Sequence, residues 1–238
     1  MDKILSQEEI KALFSAMSSG NSKRAASSGK SPVMETASYL EFQPSDLISP
    51  ERMRSMHLLY EYFSRYFASS LSGYFRNQVS INLATVKQAA YPDLARMLPD
   101  PKLFARIGIR PLDGTLTLEL SLSFAFTMVD SILGDPVQVI LGNRSLTDFD
   151  LDILDAVLRI AVRELKNAWS PIVDLEFFLK GKGTQAQMFP DISSGEQVVM
   201  AHLVMKIGHI SGMMLLCIPS RIINQLWSKL DSENVGSV

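Results

Sequence analysis

Apolar positions along the chain follow two periods, and the points where the period changes mark its elements. Ile10, Leu13, Phe14 and Met17 recur at i, i+3, i+4 and i+7, a stripe down one side of a short helix. From Pro50 to about Phe75 the same period puts Met53, Met56, Leu59, Tyr60, Phe63, Phe67 and Leu71 on one side. Period-two or continuous apolar runs then predict strands at Val79–Val86, Leu103–Arg110 and Thr115–Leu122, followed by a helix over Phe124–Leu133. The pattern starts again with a helix over Thr147–Trp169, strands at Val173–Leu179, Gln197–Ile207 and Gly212–Ile218, and a helix over Ser220–Leu230. Both halves read helix, strand, strand, strand, helix.

The ends of the halves align. Leu116, Leu118, Leu120, Ser123, Phe126, Val129, Ser131 and Leu133 match Met213, Leu215, Cys217, Ser220, Ile223, Leu226, Ser228 and Leu230 at a constant offset of 97. Ser123 and Ser220 then become the N-caps of equivalent helices. Asp113-Gly114 and Ser211-Gly212 become the hairpin turns. The expected fold is α+β: two related units about a pseudo-two-fold axis, sheets inside and helices outside. Trp169 and Trp227 would close equivalent helices and plug the core near the axis.

The first seventeen residues stand apart. Ser6 and Glu9 have capping-box spacing, and Leu5 with Ile10 fits the hydrophobic staple. Glu8 and Glu9 lie in the first turn, where the helix dipole favours negative charge. Three turns are marginal alone in water, so this segment is expected to fold on a partner's groove with its stripe as anchor. Residues 18–44 form a linker, Ser- and Gly-rich with basic residues and few large apolar ones, which cannot bury enough surface to fold. The expected organisation is a partner-binding helix at 1–17, a flexible linker at 18–44 and a domain at 45–232.

Composition narrows the function. The apolar fraction is 47% and the net charge −2, with no basic patch to suggest nucleic acid. The single cysteine, Cys217, excludes a disulfide framework and fits a reducing compartment. No run approaches the roughly 18 apolar residues of a membrane span, so no direct membrane insertion is expected, and the N-terminus lacks a signal-peptide pattern. His57, His202 and His209 have no Cys or His neighbours at metal-ligand spacing. No glycine-rich phosphate loop follows a strand, and no cofactor is expected.

Leu5-Ser6-Gln7-Glu8-Glu9-Ile10-x-Ala12-Leu13 resembles the opening motif of the bacterial flagellar motor switch family FliM. The resemblance runs on through Tyr39-x-Glu41-Phe42, Ile48-Ser49, Phe63-x-Arg65-x-Phe67 and Ser70-Leu71-Ser72. It resumes in Val129-Asp130-x-Ile132-Leu133-Gly134, Leu146-Thr147-x-Phe149-Asp150, Glu164-Leu165-Lys166-x-Ala168-Trp169-x-Pro171 and Ile218-Pro219-x-x-x-Ile222. It implies a CheC-like α/β/α middle domain and a binding protein, not an enzyme. It also implies a ring component at the cytoplasmic face of the inner membrane, in the basal body, with neighbouring FliM copies beside it and FliG and FliN as partners. Phosphorylated CheY would be caught by Leu5, Ile10, Leu13 and Phe14, with Ser6, Gln7 and Glu9 as cap and polar rim, biasing the direction of rotation in chemotaxis by a population shift.

Three departures stand out. Lys11 replaces the family's usual Asp, on the face away from the stripe. The family's Gly-Gly-x-Gly turn, which contacts FliG, reads Gly134-Asp135-Pro136-Val137 here. The chain stops at Val238, where the family continues into a small β-rich domain that joins FliN. The rival expectation is a CheC-type phosphatase acting on phosphorylated CheY. Relatives of the same fold use an Asp or Ser, then Glu, Asn and Pro. Glu164, Asn167 and Pro190 match that spacing, but Ile160 holds the leading position. The bland alternative makes Glu164 and Asn167 solvated residues of an outer helix.

Overall fold

A computed structural model describes residues 47–90, 102–134, 145–184 and 196–235, with side chains to 230. The expected helix at 1–17 and linker at 18–44 lie outside the described residues, all of which belong to the unit Glu41–Val238. The first half holds α1 (Pro50–Phe75), β1 (Val79–Ala90), β2 (Lys102–Arg110), β3 (Gly114–Ser121) and α2 (Leu122–Leu133). The second holds α3 (Asp148–Trp169), β4 (Glu176–Gly183), β5 (Gln197–Ile207), β6 (Ile210–Pro219) and α4 (Ser220–Val235). The mixed α+β composition and the doubled element order match the expectation from the sequence.

Local chemistry explains the long helices. Ser49 caps α1, its hydroxyl accepting from the amide of Arg52 at 3.4 Å, with Pro50 in the first turn where its missing N–H costs nothing. Thr147 caps α3 in a full capping box: Asp150 N donates to Thr147 Oγ1 at 3.2 Å, and Thr147 N donates to Asp150 Oδ2 at 2.9 Å. Each helix buries one stripe, Met56–Phe67 and Leu71 on α1, Leu154–Leu165 and Trp169 on α3.

The six strands form one antiparallel sheet in the order β1-β5-β6-β3-β2-β4. Exchanging the halves leaves this order unchanged: β3 and β6 are central, β2 and β5 flank them, and β1 and β4 are the edges. Each half therefore lends its first strand to the other half's hairpin. Val79 pairs with Ile207 in one such ladder, and Phe177 pairs with Ile109 in the other. These are equivalent residues, 98 apart. The same interval links the caps Ser49 and Thr147, and the core pairs Met56 with Leu154, Leu59 with Val157 and Phe67 with Leu165.

The offset of 97 is thus corrected to 98. Leu118 is equivalent to Leu216, not Leu215; Leu118 and Leu216 face the helices in the main core, whereas Leu215 belongs to a smaller cluster with Val198, Met200 and Cys217. Side chains alternate along a strand, so a slip of one residue moves every side chain to the other face. β6 is apolar on both faces from Met213 to Ile218, which hides the slip in the sequence. Two caps move with it. α2 begins at Leu122 with Ser121 at the N-cap position, leaving Ser123 inside the helix. Ser220 is the first residue of α4 and accepts from Gln88 Nε2 at 2.9 Å.

The second hairpin turns at Gly208-His209, not Ser211-Gly212: Ile207 pairs with Ile210, and Gly208 takes φ +58°. Gly212 lies inside β6. Trp169 ends α3 but Trp227 lies inside α4, so they do not close equivalent helices; they meet edge-on at 6.3 Å between ring centroids. All four helices add residues to the cluster that covers one face of the sheet. On the other face, Lys102 and Glu119 form a buried ion pair at 3.5 Å. Cys217 lies near it; burial, with Glu119 close by, pushes this thiol well up, so it remains a protonated core residue.

Tyr60 is wholly buried on α1, and its hydroxyl has no hydrogen-bond partner among the described residues. A desolvated, unpartnered hydroxyl destabilises the fold. Tyr60→Phe should therefore raise the unfolding free energy by about 1 kcal/mol in urea titration with unchanged m. A fall in stability would reveal a partner for that hydroxyl.

Candidate functional site

Two places named from the sequence can be inspected directly, the end of α2 and the Glu164–Asn167 pair of α3. α2 is apolar for most of its length, with Phe124, Ala125, Met128 and Val129 in the main core. It ends in Leu133, half exposed, and Gly134, whose φ of +78° is left-handed and whose amide donates to the carbonyl of Asp130. Glycine adopts that conformation freely, and the amide bond satisfies a carbonyl that the helix end would otherwise orphan. The chain thus leaves α2 in a defined direction, at the point where the loop begins. Asp135 and Pro136 lie outside the described residues, as do the seven positions assigned to CheY binding: Leu5, Ser6, Gln7, Glu9, Ile10, Leu13 and Phe14.

Glu164 and Asn167 are not the solvated pair of the bland reading. Glu164 is buried, and only Asn167 is exposed. Asn167 Nδ2 donates to Glu164 Oε2 at 2.7 Å. The other carboxylate oxygen takes Ser70 Oγ of α1 at 2.9 Å and the Arg163 guanidinium at 2.7 Å. Arg163 also donates to Ser70 Oγ at 3.1 Å. Burial pushes the Glu164 carboxyl upward, but the donors Asn167, Arg163 and Ser70 together outweigh it and hold the group below its ordinary value. This is an ionised carboxylate held by three donor residues, of which Ser70 ties α3 to α1. Both Glu164 oxygens and the Asn167 Nδ2 are engaged in these bonds. Sequence reasoning found Glu164 and Asn167 by their spacing but missed Ser70, a neighbour only through the packing of α1 on α3. Pro190 lies outside the described residues.

No group of three or more His, Cys, Asp or Glu able to hold a metal ion occurs among the described residues. None of the described helices is long and apolar enough to cross a membrane.

A family model for the flagellar motor switch protein FliM matches residues 49–235, from the α1 cap to the end of α4. The chain belongs to the FliM family. The FliM of Treponema pallidum is 32% identical over 235 residues, covering 98% of this chain and 67% of the relative, so the chain spans about two thirds of that protein's length. The crystal structure of the FliM middle domain from H. pylori superposes with a TM-score of 0.70 at 32% identity, covering 76% of this chain and 99% of that one. FliM in a FliG–FliM complex from H. pylori gives a TM-score of 0.71 at 32% identity, covering 75% and 100% of the two chains. Membership makes the chain a flagellar motor switch component, and its relatives carry the names of switch proteins, not of enzymes.

The Glu164 contacts set a pH signature. Its carboxyl sits below the ordinary 4.5 when folded, so the unfolded chain binds the proton more readily. The stabilisation is complete above pH 4.5 and is lost as pH falls through the folded value. Glu164→Gln should cost about 1–3 kcal/mol at pH 7, and the gap from the parent should narrow progressively below pH 4.5 in urea titrations. A gap that stays constant with pH would mean the carboxylate is not the stabilising form.

Proposed function

We propose that this FliM-family chain works as a two-handed adaptor in the rotor ring of the flagellar motor. The segment 1–17 is the first hand: it catches phosphorylated CheY through the stripe of Leu5, Ile10, Leu13 and Phe14, with Ser6, Gln7 and Glu9 setting the helix start. The α/β domain is the second hand and holds FliG through the loop that begins at Gly134 and continues through Asp135 and Pro136. Neighbouring copies of the chain and FliN complete the ring at the cytoplasmic face of the inner membrane. CheY binding favours one ring state over the other and so biases the direction of rotation.

The observation that carries this reading is the likeness over residues 49–235 to a family with a member crystallised with FliG. The domain superposes on that FliM, and α2 delivers a left-handed glycine at the start of the loop. The CheY half rests on the capping box, staple and stripe of residues 5–17. A phosphatase reading gains no support from Glu164, whose oxygens accept from Arg163, Ser70 and Asn167.

Each hand has its own test. A labelled peptide spanning Met1–Gly20, titrated with CheY from the same cell, should bind in the micromolar range and tighten with a phosphoryl mimic. Binding in neither state would remove the CheY hand. Gly134→Ala places a Cβ in the left-handed region at a cost of about 1–2 kcal/mol, which should redirect the loop and weaken capture of FliG in a pull-down. Undiminished capture would move the FliG contact elsewhere on the domain.

A further inference from the structure

We infer that Gly212 of β6 is a positioning residue for FliG binding: it lets α2 settle on the sheet at a separation that any Cβ would forbid, and so fixes where that helix presents the Gly134 loop. The inference rests on the reading that this loop contacts FliG.

Gly212 pairs with Met205 and shares the helix-facing side of the sheet with Met214. A Cβ built there falls 2.5 Å from Phe124 Cδ2 and closer still to Phe124 Cβ and Cγ. Those last two atoms are the root of the side chain, within two bonds of the α2 backbone. No change of rotamer moves a Cβ away, so the helix itself must retreat. The pseudo-symmetric partner behaves differently. Gly114 of β3 lies under Ile222 of α4, but the nearest atom there is the methyl tip, Cδ1, at 2.7 Å, with the next atoms at 3.3 Å. A tip swings aside; a root does not. The two glycines are equivalent in place, but only Gly212 sets the position of a helix.

Phe124 lies in the first turn of α2, and Gly134 caps its last. The helix between them is continuous, so a retreat at Phe124 is carried to Leu133 and Gly134 as a rigid shift. A contact loop displaced by about an ångström loses much of its fit to a rigid partner.

The experiment titrates FliG from the same cell against the whole chain and four variants, recording the melting temperature of each. Gly212→Ala should weaken FliG binding roughly tenfold, while Gly114→Ala should stay within about twofold of the parent. Adding Phe124→Ala to Gly212→Ala frees the space and should recover most of the affinity without recovering the melting temperature, since it also removes a core ring. A purely structural role predicts the opposite, with affinity following stability through the series, and that result would overturn the inference. Gly134→Ala, run alongside, separates the failures. Parent-like binding by Gly212→Ala with loss in Gly134→Ala overturns the positioning role alone; parent-like binding by both overturns the loop reading and the positioning role with it. If Gly212→Ala does not fold, Phe124→Ile, whose branched Cβ adds an atom at the root, presses on the same contact from the helix side, with the same tenfold loss expected and parent-like binding again counting against the proposal.

Discussion

The exchange of edge strands between the two halves is the constraint on which the rest of the fold depends. β1 belongs to the first half but finds its hydrogen bonds on β5, and β4 of the second half finds them on β2. Neither half has a complete sheet without the other. The central β3–β6 ladder has only four paired positions, Thr117–Leu120 against Met214–Cys217, so the long flanking ladders carry much of the pairing between halves. The two halves therefore cannot separate without breaking three ladders at once. The helices meet that sheet as a rigid platform, which is why a close contact at one end of α2 can matter at the other.

Much of this was legible in the sequence, and the failures share one cause. Helix–strand alternation, the long helices and the Thr147 cap all follow from period and capping chemistry, signals local to a few residues. The doubling was legible too, but the offset was read as 97 where the backbone has 98. The error arose in Met213–Ile218, apolar on both faces, where the alternation that fixes a register is missing. The misplaced hairpin has the same origin: Ser211-Gly212 reads as a turn, whereas that glycine answers to Phe124 of another element. Ser70 was invisible for a similar reason, since it meets Glu164 only through the packing of α1 on α3. What was missed is what depends on contacts between residues distant in the chain.

Equivalence of backbone does not extend to chemistry. Lys102 and Glu119 form a buried ion pair, while the equivalent residues 98 positions on, Met200 and Cys217, are apolar. A buried ion pair seldom adds stability over an apolar pair of like size, and its best-attested role is to specify one arrangement against another. Here the alternative is plain: two halves with the same strand order could pair with copies of themselves. The central β3 and β6 differ in one respect that matters for this, since only β3 carries a buried carboxylate. A copy of the first half in the place of the second would bury a second such ion pair beside the first, each with its own desolvation cost.

The same asymmetry marks the helices. α3 carries the Glu164 carboxylate and its donors where α1 has Tyr66, half exposed and stacked beside Tyr62 with ring centroids 6.4 Å apart. Gly114 and Gly212 occupy equivalent places, but one faces a flexible tip and the other the root of a ring. Duplication supplies two of every element, and each pair is then free to divide labour: one member keeps the fold while its twin is shaped for contact. Two equivalent helix ends with different tolerance for movement are therefore the feature to expect where a symmetric scaffold must hold a partner on one side only.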